Sequence, residues 1–382
     1  MDRKQNNKNR KKRKYSRKKV VLIERTALLL AAVLSVCLIC TFLVRKIASS
    51  GSDTAEPAEM SERAVQTETA VREPDRRSYL FSFAGDCTIG SLLEWQGSLD
   101  IDFQSVVKDD YAYPLSHVRD IFEKDDLTVV NLEGTFTNST DAVEKPYRFK
   151  ADPAYVRVLT EGSVEAVSTA NNHSGDFKEA GLADTIAALD SAGILHTGPG
   201  NPLIRTLDGG LTIGIVSYNT VDSTAGEWQW RQDIRQDIDA CKEAGCRLII
   251  GFMHWGTVEY LTEPEAWEVQ LAHDMADWGC DLIVGGHAHI LQRMEYYHDV
   301  PIFYSMGNFC FGGNTGPDDM DSVIVQAQYT WNSDDSTPER SALRVIPCEI
   351  SSRKDRNDYC PTPCEEGSED EQRILGKLQW SG

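Results

Sequence analysis

From residue 78 onward the chain alternates short apolar runs with stretches in which apolar residues recur every three or four positions. The runs "YLFSFAGD" (79–86), "LTVVNLEG" (127–134), "VEAVSTANNH" (164–173), "LTIGIVSYN" (211–219), "RLIIGFMHWG" (247–256), "DLIVGGHAH" (281–289), "IFYSMGNF" (302–309), "SVIVQAQYT" (322–330) and "LRVIPCEI" (343–350) read as strands. Between them, 177–193 and 264–279 carry helical spacing and end on Gly193 and Gly279. Strands that alternate with helices, then follow one another without them, predict an α/β class with mixed sheets. The last stretch, 351–382, reads as a polar C-terminal tail.

The N-terminal pattern differs. Residues 26–44, "TALLLAAVLSVCLICTFLV", hold no charge, and nineteen helical residues span roughly 28 Å, about the hydrocarbon thickness of a bilayer. Residues 1–25 hold twelve Lys and Arg, while only Arg45 and Lys46 follow the run directly. That bias predicts a transmembrane helix spanning the cell membrane once, with a cytoplasmic basic tail and the remaining chain extracellular. A cleaved signal peptide is the rival reading, but its apolar region is shorter and "RKIASS" is a weak cleavage site. Residues 45–77, rich in Ser, Thr, Glu, Ala and Pro, read as a flexible stalk. Residues 78–350 are then one large α/β domain.

Charge sharpens this division. Residues 1–46 carry fourteen Lys and Arg against Asp2 and Glu24, so the remainder holds 25 basic and 57 acidic residues. So acidic an outer part argues against nucleic acid as a partner, and it repels a polyanion unless metal ions or a local basic groove intervene. Of ten cysteines, Cys37 and Cys40 lie in the apolar run. Cys348, Cys360 and Cys364 are close enough in sequence to form a disulfide in an oxidising exterior.

Polar residues gather where the strand candidates end. Asp86 closes the first, Asn131 and Glu133 the second, and Asn171, Asn172 and His173 the third, while His254 closes a later one and His287 with His289 the next. Side chains two apart on a strand share a face, and sites in open α/β sheets assemble at carboxyl ends of strands. Oxygen and imidazole groups delivered by five strands predict a bound divalent metal.

The ordered motifs "GDCTIG", "NLEG", "ANNHSGD", "MHWGTVEY", "GGHAHILQ" and "YSMGNFCF" resemble those of the CapA-type poly-gamma-glutamate capsule synthesis proteins, a branch of the calcineurin-like metallophosphoesterase superfamily. The resemblance covers roughly residues 79–330, with "KPYRFKADPAYVRVL" and "GLADTIAALDSAGILHTGPG" matching between motifs. It implies two facing mixed β-sheets flanked by helices, with a di-metal centre at the strand ends. By resemblance, Asp86 holds the first metal and Glu133 bridges. Asn172, His254 and His287 hold the second metal, and His289 returns to the first. His173 is the non-ligand histidine that protonates a leaving group, oriented by Asp176. Thr88 stands where the superfamily usually has a metal-binding histidine, which weakens the first site and leaves one or two ions open. The donor set suits Mn, Fe or Zn. Asn131, Asn171, Trp255, Glu259, Ser305 and Asn308 are candidate substrate-binding residues.

Two functions fit. One is a membrane-anchored hydrolase or transferase acting on a phosphoester, or on an amide of an anionic surface polymer or its precursor. The other is a non-catalytic assembly or export factor for a membrane polymer synthase complex. No G-x-x-x-x-G-K-[ST] phosphate loop is found, so the energy for polymer growth must come from membrane-bound synthase subunits.

Overall fold

The computed structural model describes residues 76–96, 100–221, 226–335 and 337–381. The expected anchor at 26–44, the basic tail and nearly all of the stalk lie outside these residues. Among the described residues no helix is long and apolar enough to cross a membrane.

In chain order the strands are β1 (Arg77–Cys87), β2 (Ser91–Leu92), β3 (Leu127–Leu132), β4 (Thr135–Phe136), β5 (Phe149–Ala151), β6 (Ala166–Ser168), β7 (Leu195–Thr197) and β8 (Leu203–Thr206). They continue as β9 (Thr212–Asn219), β10 (Leu248–His254), β11 (Leu282–Gly286), β12 (Met294–Tyr297), β13 (Val300–Phe303), β14 (Asp321–Trp331), β15 (Glu339–Glu349) and β16 (Thr362–Pro363). One sheet runs β16-β15-β14-β1-β3-β6-β7, a second β12-β13-β11-β10-β9-β8, and a small third β2-β5-β4. Both large sheets are mixed. β1, β3, β6 and β7 pair in parallel beside antiparallel β14 and β15. β9, β10, β11 and β13 pair in parallel between antiparallel β8 and β12.

Two-residue alternation divides each sheet between two faces. Phe81, Phe83 and Val129 meet Ile215, Ile250, Phe252 and Val284 between the sheets. The other face of the first sheet, with Ala84, Val130 and Val167, packs beneath Phe103, Val158, Leu159 and Leu189. The other face of the second, with Val216, Ile249 and Ile283, packs beneath Trp230, Ile234, Leu271 and Met275. The layers are helix, sheet, sheet and helix. Phe81, Phe83, Phe252 and Phe303 are buried almost completely, each contributing about 1.5–3 kcal/mol of transfer free energy.

One irregularity positions the site. β1 and β3 keep register from Phe81 to Ala84, then slip so that Asp86 pairs with Asn131 and Cys87 with Leu132. Gly85 is the extra residue. Without this bulge the alternation would send Asp86 to the helix-covered face that holds Ala84; with it, Asp86 faces the second sheet while Cys87 packs beside Leu132 in the outer core. Gly85 also lies against β13's continuation so closely that a Cβ would stand 2.0 Å from the Gly307 carbonyl oxygen.

The stretch 351–382 is not a plain tail. β16 pairs with β15, and a helix, Glu369–Lys377, starts at Ser368, whose side chain accepts from Glu371 N. Tyr359, Cys360, Ile374 and Leu378 are buried, and Arg373 and Lys377 both reach Asp321. A few apolar anchors suffice to hold a polar segment down. Cys348, Cys360 and Cys364 are free thiols, so the disulfide expected among them is absent from the structure. A helix at Glu227–Glu243 also went unforeseen: only Trp230, Ile234, Asp237, Ile238 and Cys241 are buried along it, a narrow stripe in a polar sequence.

Candidate metal centre

The carboxyl ends of β1, β3, β10 and β11 converge between the two sheets. Asp86 is fully buried; its Oδ1 accepts from Asn131 Nδ2 at 2.7 Å and its Oδ2 from the His287 backbone N–H at 3.0 Å. His254 Nδ1 stands 3.7 Å from Asp86 Oδ1, and His289 Nδ1 3.9 Å from Oδ2. His254 Nε2 lies 3.5 Å from Glu133 Oε1 and 2.9 Å from Asn172 Oδ1. One ligand atom each from Asp86, Glu133 and His254 falls within 4.8 Å of the others. The His254 and His287 rings are 5.0 Å apart, and His289 is 6.1 Å from His287. The six residues expected as ligands thus lie near one another, and Asp86, Glu133 and His254 offer the mutually closest atoms.

Backbone conformation helps to aim the last two. His287 and His289 adopt left-handed φ of +89° and +59°, values uncommon for non-glycine residues and concentrated at functional sites. Gly286 leaves room for Asp86, whose Oδ1 would lie 2.5 Å from a Cβ there.

The groups fit a cation by an electrostatic criterion too. Both oxygens of Glu133 are buried without a hydrogen-bond partner, as are His287 Nδ1 and Thr88 Oγ1. A buried carboxylate left unpaired costs several kcal/mol or more, so native structures compensate it with a proton, a hydrogen bond or a metal. Burial pushes Glu133 well above the usual carboxylate range, and the charges of Asp86, Glu259 and Asp176 push it further. Burial also acts on Asp86, but hydrogen bonding and charge from His254, with His289 and Asn131 behind, hold it below that range. Burial, then the neighbouring His254 and His289, depresses His287 to about 3. Two carboxyls driven apart, beside an imidazole kept neutral, form a site made for positive charge.

Asn131 and Asn171 are braces. Asn131 Nδ2 holds Asp86 and stands 3.2 Å from His254 Nδ1, while Asn171 Nδ2 donates to Asn131 Oδ1 at 3.0 Å and to Leu132 O at 2.8 Å. Asn308 Oδ1 lies 2.9 Å from His289 Nδ1, and its Nδ2 donates to His289 O. Ser305 Oγ donates to Ile290 O at 2.7 Å and accepts from Gly307 N. Trp255 is 1% exposed, donates to Tyr304 O at 2.8 Å and stacks on Tyr304. The expectation that Asn131, Asn171, Trp255, Ser305 and Asn308 contact substrate is thus corrected for Trp255 and Ser305, whose polar atoms are spent on backbone carbonyls. Asn131 and Asn308 orient Asp86 and His289, and Asn171 braces Asn131. Glu259 is exposed, near enough for its charge to bear on Glu133.

Beside this cluster, His173 Nδ1 meets Asp176 Oδ2 at 2.9 Å. A carboxylate only accepts, so Nδ1 carries the proton and Nε2 is left to exchange one. Burial lowers the His173 pKa against the opposing pull of Asp176. Lys145 was missed in the sequence. Its Nζ pairs with Asp176 Oδ1 at 2.5 Å and donates to Asn172 O at 2.6 Å, joining the histidine dyad to Asn172, a candidate ligand. Val143 N donates to Asp176 O, Phe149 N donates to Asp176 Oδ2, and the Phe149 ring lies 4.5 Å from that of His173. The signal available was the "KPYRFK" stretch alone, whose spacing implies no role.

With this geometry in place, comparison with known proteins is decisive. Residues 80–313 match the profile described as bacterial capsule synthesis protein PGA_cap. The chain belongs to that family. The match spans every motif from Asp86 to Asn308. Among relatives of the family, a PGA biosynthesis protein CapA of Bacillus subtilis is 26% identical over 78% of this chain and 77% of its own length. A capsule biosynthesis protein CapA of Bacillus anthracis is 29% identical over 54% of this chain and 53% of its own. The solved structure of the calcineurin-like phosphoesterase YfkN from Bacillus subtilis aligns over 80% of this chain and 96% of that chain, with 12% identity and a TM-score of 0.43. A likeness that low carries no argument about the site.

Proposed function

We propose that this member of the capsule synthesis family is a membrane-anchored, outward-facing, metal-dependent hydrolase or transferase acting on an anionic surface polymer or its precursor. One observation carries the reading: Glu133, fully buried with neither oxygen hydrogen-bonded, sits among Asp86, His254 and His287. Asp86, Glu133, Asn172, His254, His287 and His289 would hold the cation. A divalent ion there supplies Lewis acidity, drawing charge from a phosphoryl or carbonyl oxygen.

The chain's own groups do the rest. Asn131 and Asn308 fix the orientation of the ligating side chains. His173, with Nδ1 tied to Asp176, holds or passes a proton at Nε2 toward a leaving group. Exclusion of water from the paired sheets strengthens each of these interactions. The uncharged run at 26–44 and the basic residues before it support tethering at the cell membrane, where polymer synthase subunits would supply the substrate.

The competing reading, a non-catalytic assembly factor, draws on Thr88, whose hydroxyl gives a transition metal a poor ligand. Full-length protein in detergent, assayed for bound metal and for turnover of phosphomonoester, phosphodiester and γ-glutamyl substrates with Mn, Zn or Fe, separates the two. Turnover lost in His173→Ala supports the enzyme. Bound metal, no turnover with any substrate and retention of polymer support the assembly factor.

A further inference from the structure

Three helices of this domain end alike. Lys178–Ala192, Glu227–Glu243 and Ala266–Asp277 each lead to a glycine with left-handed φ: Gly193 at +74°, Gly245 at +83° and Gly279 at +106°. The residue after each glycine reaches back five positions: Ile194 N to Leu189 O, Cys246 N to Cys241 O, and Cys280 N to Met275 O, all at 3.0 Å. This is the Schellman arrangement, in which the side chains at the two ends of that bond come into contact. At two helices the contact pairs are Leu189 with Ile194 and Met275 with Cys280, all buried. At the third, both partners are thiols.

Cys241 is fully buried and Cys246 partly exposed. Both sulfurs crowd Gly214, lying 2.6 and 3.2 Å from where a Cβ of that residue would stand, so the two thiols adjoin. A leucine or methionine would fill this contact as well as sulfur does. Two adjoining sulfurs on a backbone turn that already draws the two residues together add a chemistry that packing does not require.

We propose that Cys241 and Cys246 form a reversible disulfide that fastens the end of the Glu227–Glu243 helix to the start of β10. Cys246 is the attacking thiol: it is the more exposed of the two, and the adjoining Cys241 thiol holds it below its ordinary range against the effect of burial. Its thiolate displaces one thiol from a small-molecule disulfide such as oxidised glutathione, so that one S–S bond breaks as a mixed S–S bond forms. Cys241 then gives up its proton, attacks the Cys246 sulfur and releases the second thiol. Two protein thiols are oxidised and one disulfide is reduced to two thiols. β10 begins two residues after Cys246 and ends at His254, so the crosslink steadies the strand that delivers a ligand to the metal centre.

The test incubates reduced full-length protein with oxidised glutathione, blocks remaining thiols with iodoacetamide and maps the digest by mass spectrometry. The expected result is a Cys241–Cys246 linked peptide and a higher Tm than in the reduced protein. A Cys241→Val/Cys246→Val variant, which restores the apolar contact of the sister helices, should fold with the wild-type circular dichroism and lose the redox dependence of Tm. Alkylation of both cysteines after oxidation, a stable glutathione adduct on Cys246, or linkage of either to Cys280 would overturn the proposal.

Discussion

Asn131 Nδ2 donates to Asp86 Oδ1 at 2.7 Å, between neighbouring strands that bring these two residues level because Gly85 is skipped in the register. Slipping one residue turns every later side chain of β1 over. Asp86, the first of the candidate ligands, therefore owes its position to a residue with no side chain. Asn131 then spans Asp86 and His254, tying the first sheet to the second at the centre of the site.

Gly85→Ala tests that dependence. The added Cβ would meet the Gly307 carbonyl oxygen at 2.0 Å, and backbone cannot swing aside as a side chain can. Since Asp86 N also donates to Gly307 O at 3.0 Å, relief of the clash moves Asp86 itself. The expected cost is about 2–3 kcal/mol of stability, read by denaturant unfolding, together with loss of metal binding in the molecules that remain folded. An unchanged unfolding midpoint would refute the assignment of the bulge.

Lys145→Met removes the ammonium that links Asp176 to Asn172. Outer groups that orient metal ligands usually contribute 10- to 100-fold in affinity, so a drop of roughly 10-fold in Mn or Zn affinity is expected by chelator competition. Lys145→Arg keeps a cation there and should recover part of it. Equal affinity in Met and wild type would show that Lys145 only shields Asp176.

What the sequence made legible was what two-residue alternation and strand-end chemistry encode. Each of the nine expected runs contains a strand, though 164–173 is one only at Ala166–Ser168 and 302–309 only at its start; runs such as "LIIGF", buried on both faces, are recognised by their apolar length instead. Trp255 could have been placed correctly: it directly follows His254 at the end of β10, so if the histidine faces the site the tryptophan turns toward the helices. Lys145 could not, since its role arises where a loop passes over the turn at 171–176, a contact without local signature. The 369–377 helix escaped for a similar reason: its burial rests chiefly on Ile374, and the flanking Leu378 completes the anchor.

Glu268 makes stability depend on pH. It is 2% exposed in the helix Ala266–Asp277, next to Gly256, and burial pushes its carboxyl from 4.5 up to about 7, with the Glu265 charge adding to the rise. A raised carboxyl favours the protonated fold, so its contribution is fully present below pH 4.5 and is lost as pH rises through about 7. Glu268→Gln keeps an acceptor for the Glu265 backbone N–H that Glu268 now receives and removes the titration. The variant should exceed wild type by on the order of 2–3 kcal/mol at pH 8 and match it near pH 4. Parallel stability curves across that range would contradict the burial argument.

Glu133→Gln separates the cost of the site from its purpose. In metal-free protein the Glu133 carboxyl is raised by burial and by the Asp86 charge, so ionising it destabilises the fold as pH rises above 4.5. An amide of the same shape carries no charge to desolvate beside Asp86. Metal-free Glu133→Gln should therefore melt at a higher temperature than metal-free wild type at pH 7. Added Mn or Zn should reverse the order: the cation stabilises wild type by binding the folded state, whereas the amide offers a weaker oxygen and the variant gains little. Differential scanning fluorimetry with and without metal reads both effects in one experiment. A variant less stable than wild type without metal would show that Glu133 is structural, and a full metal-induced rise in the variant would show that the ion binds elsewhere.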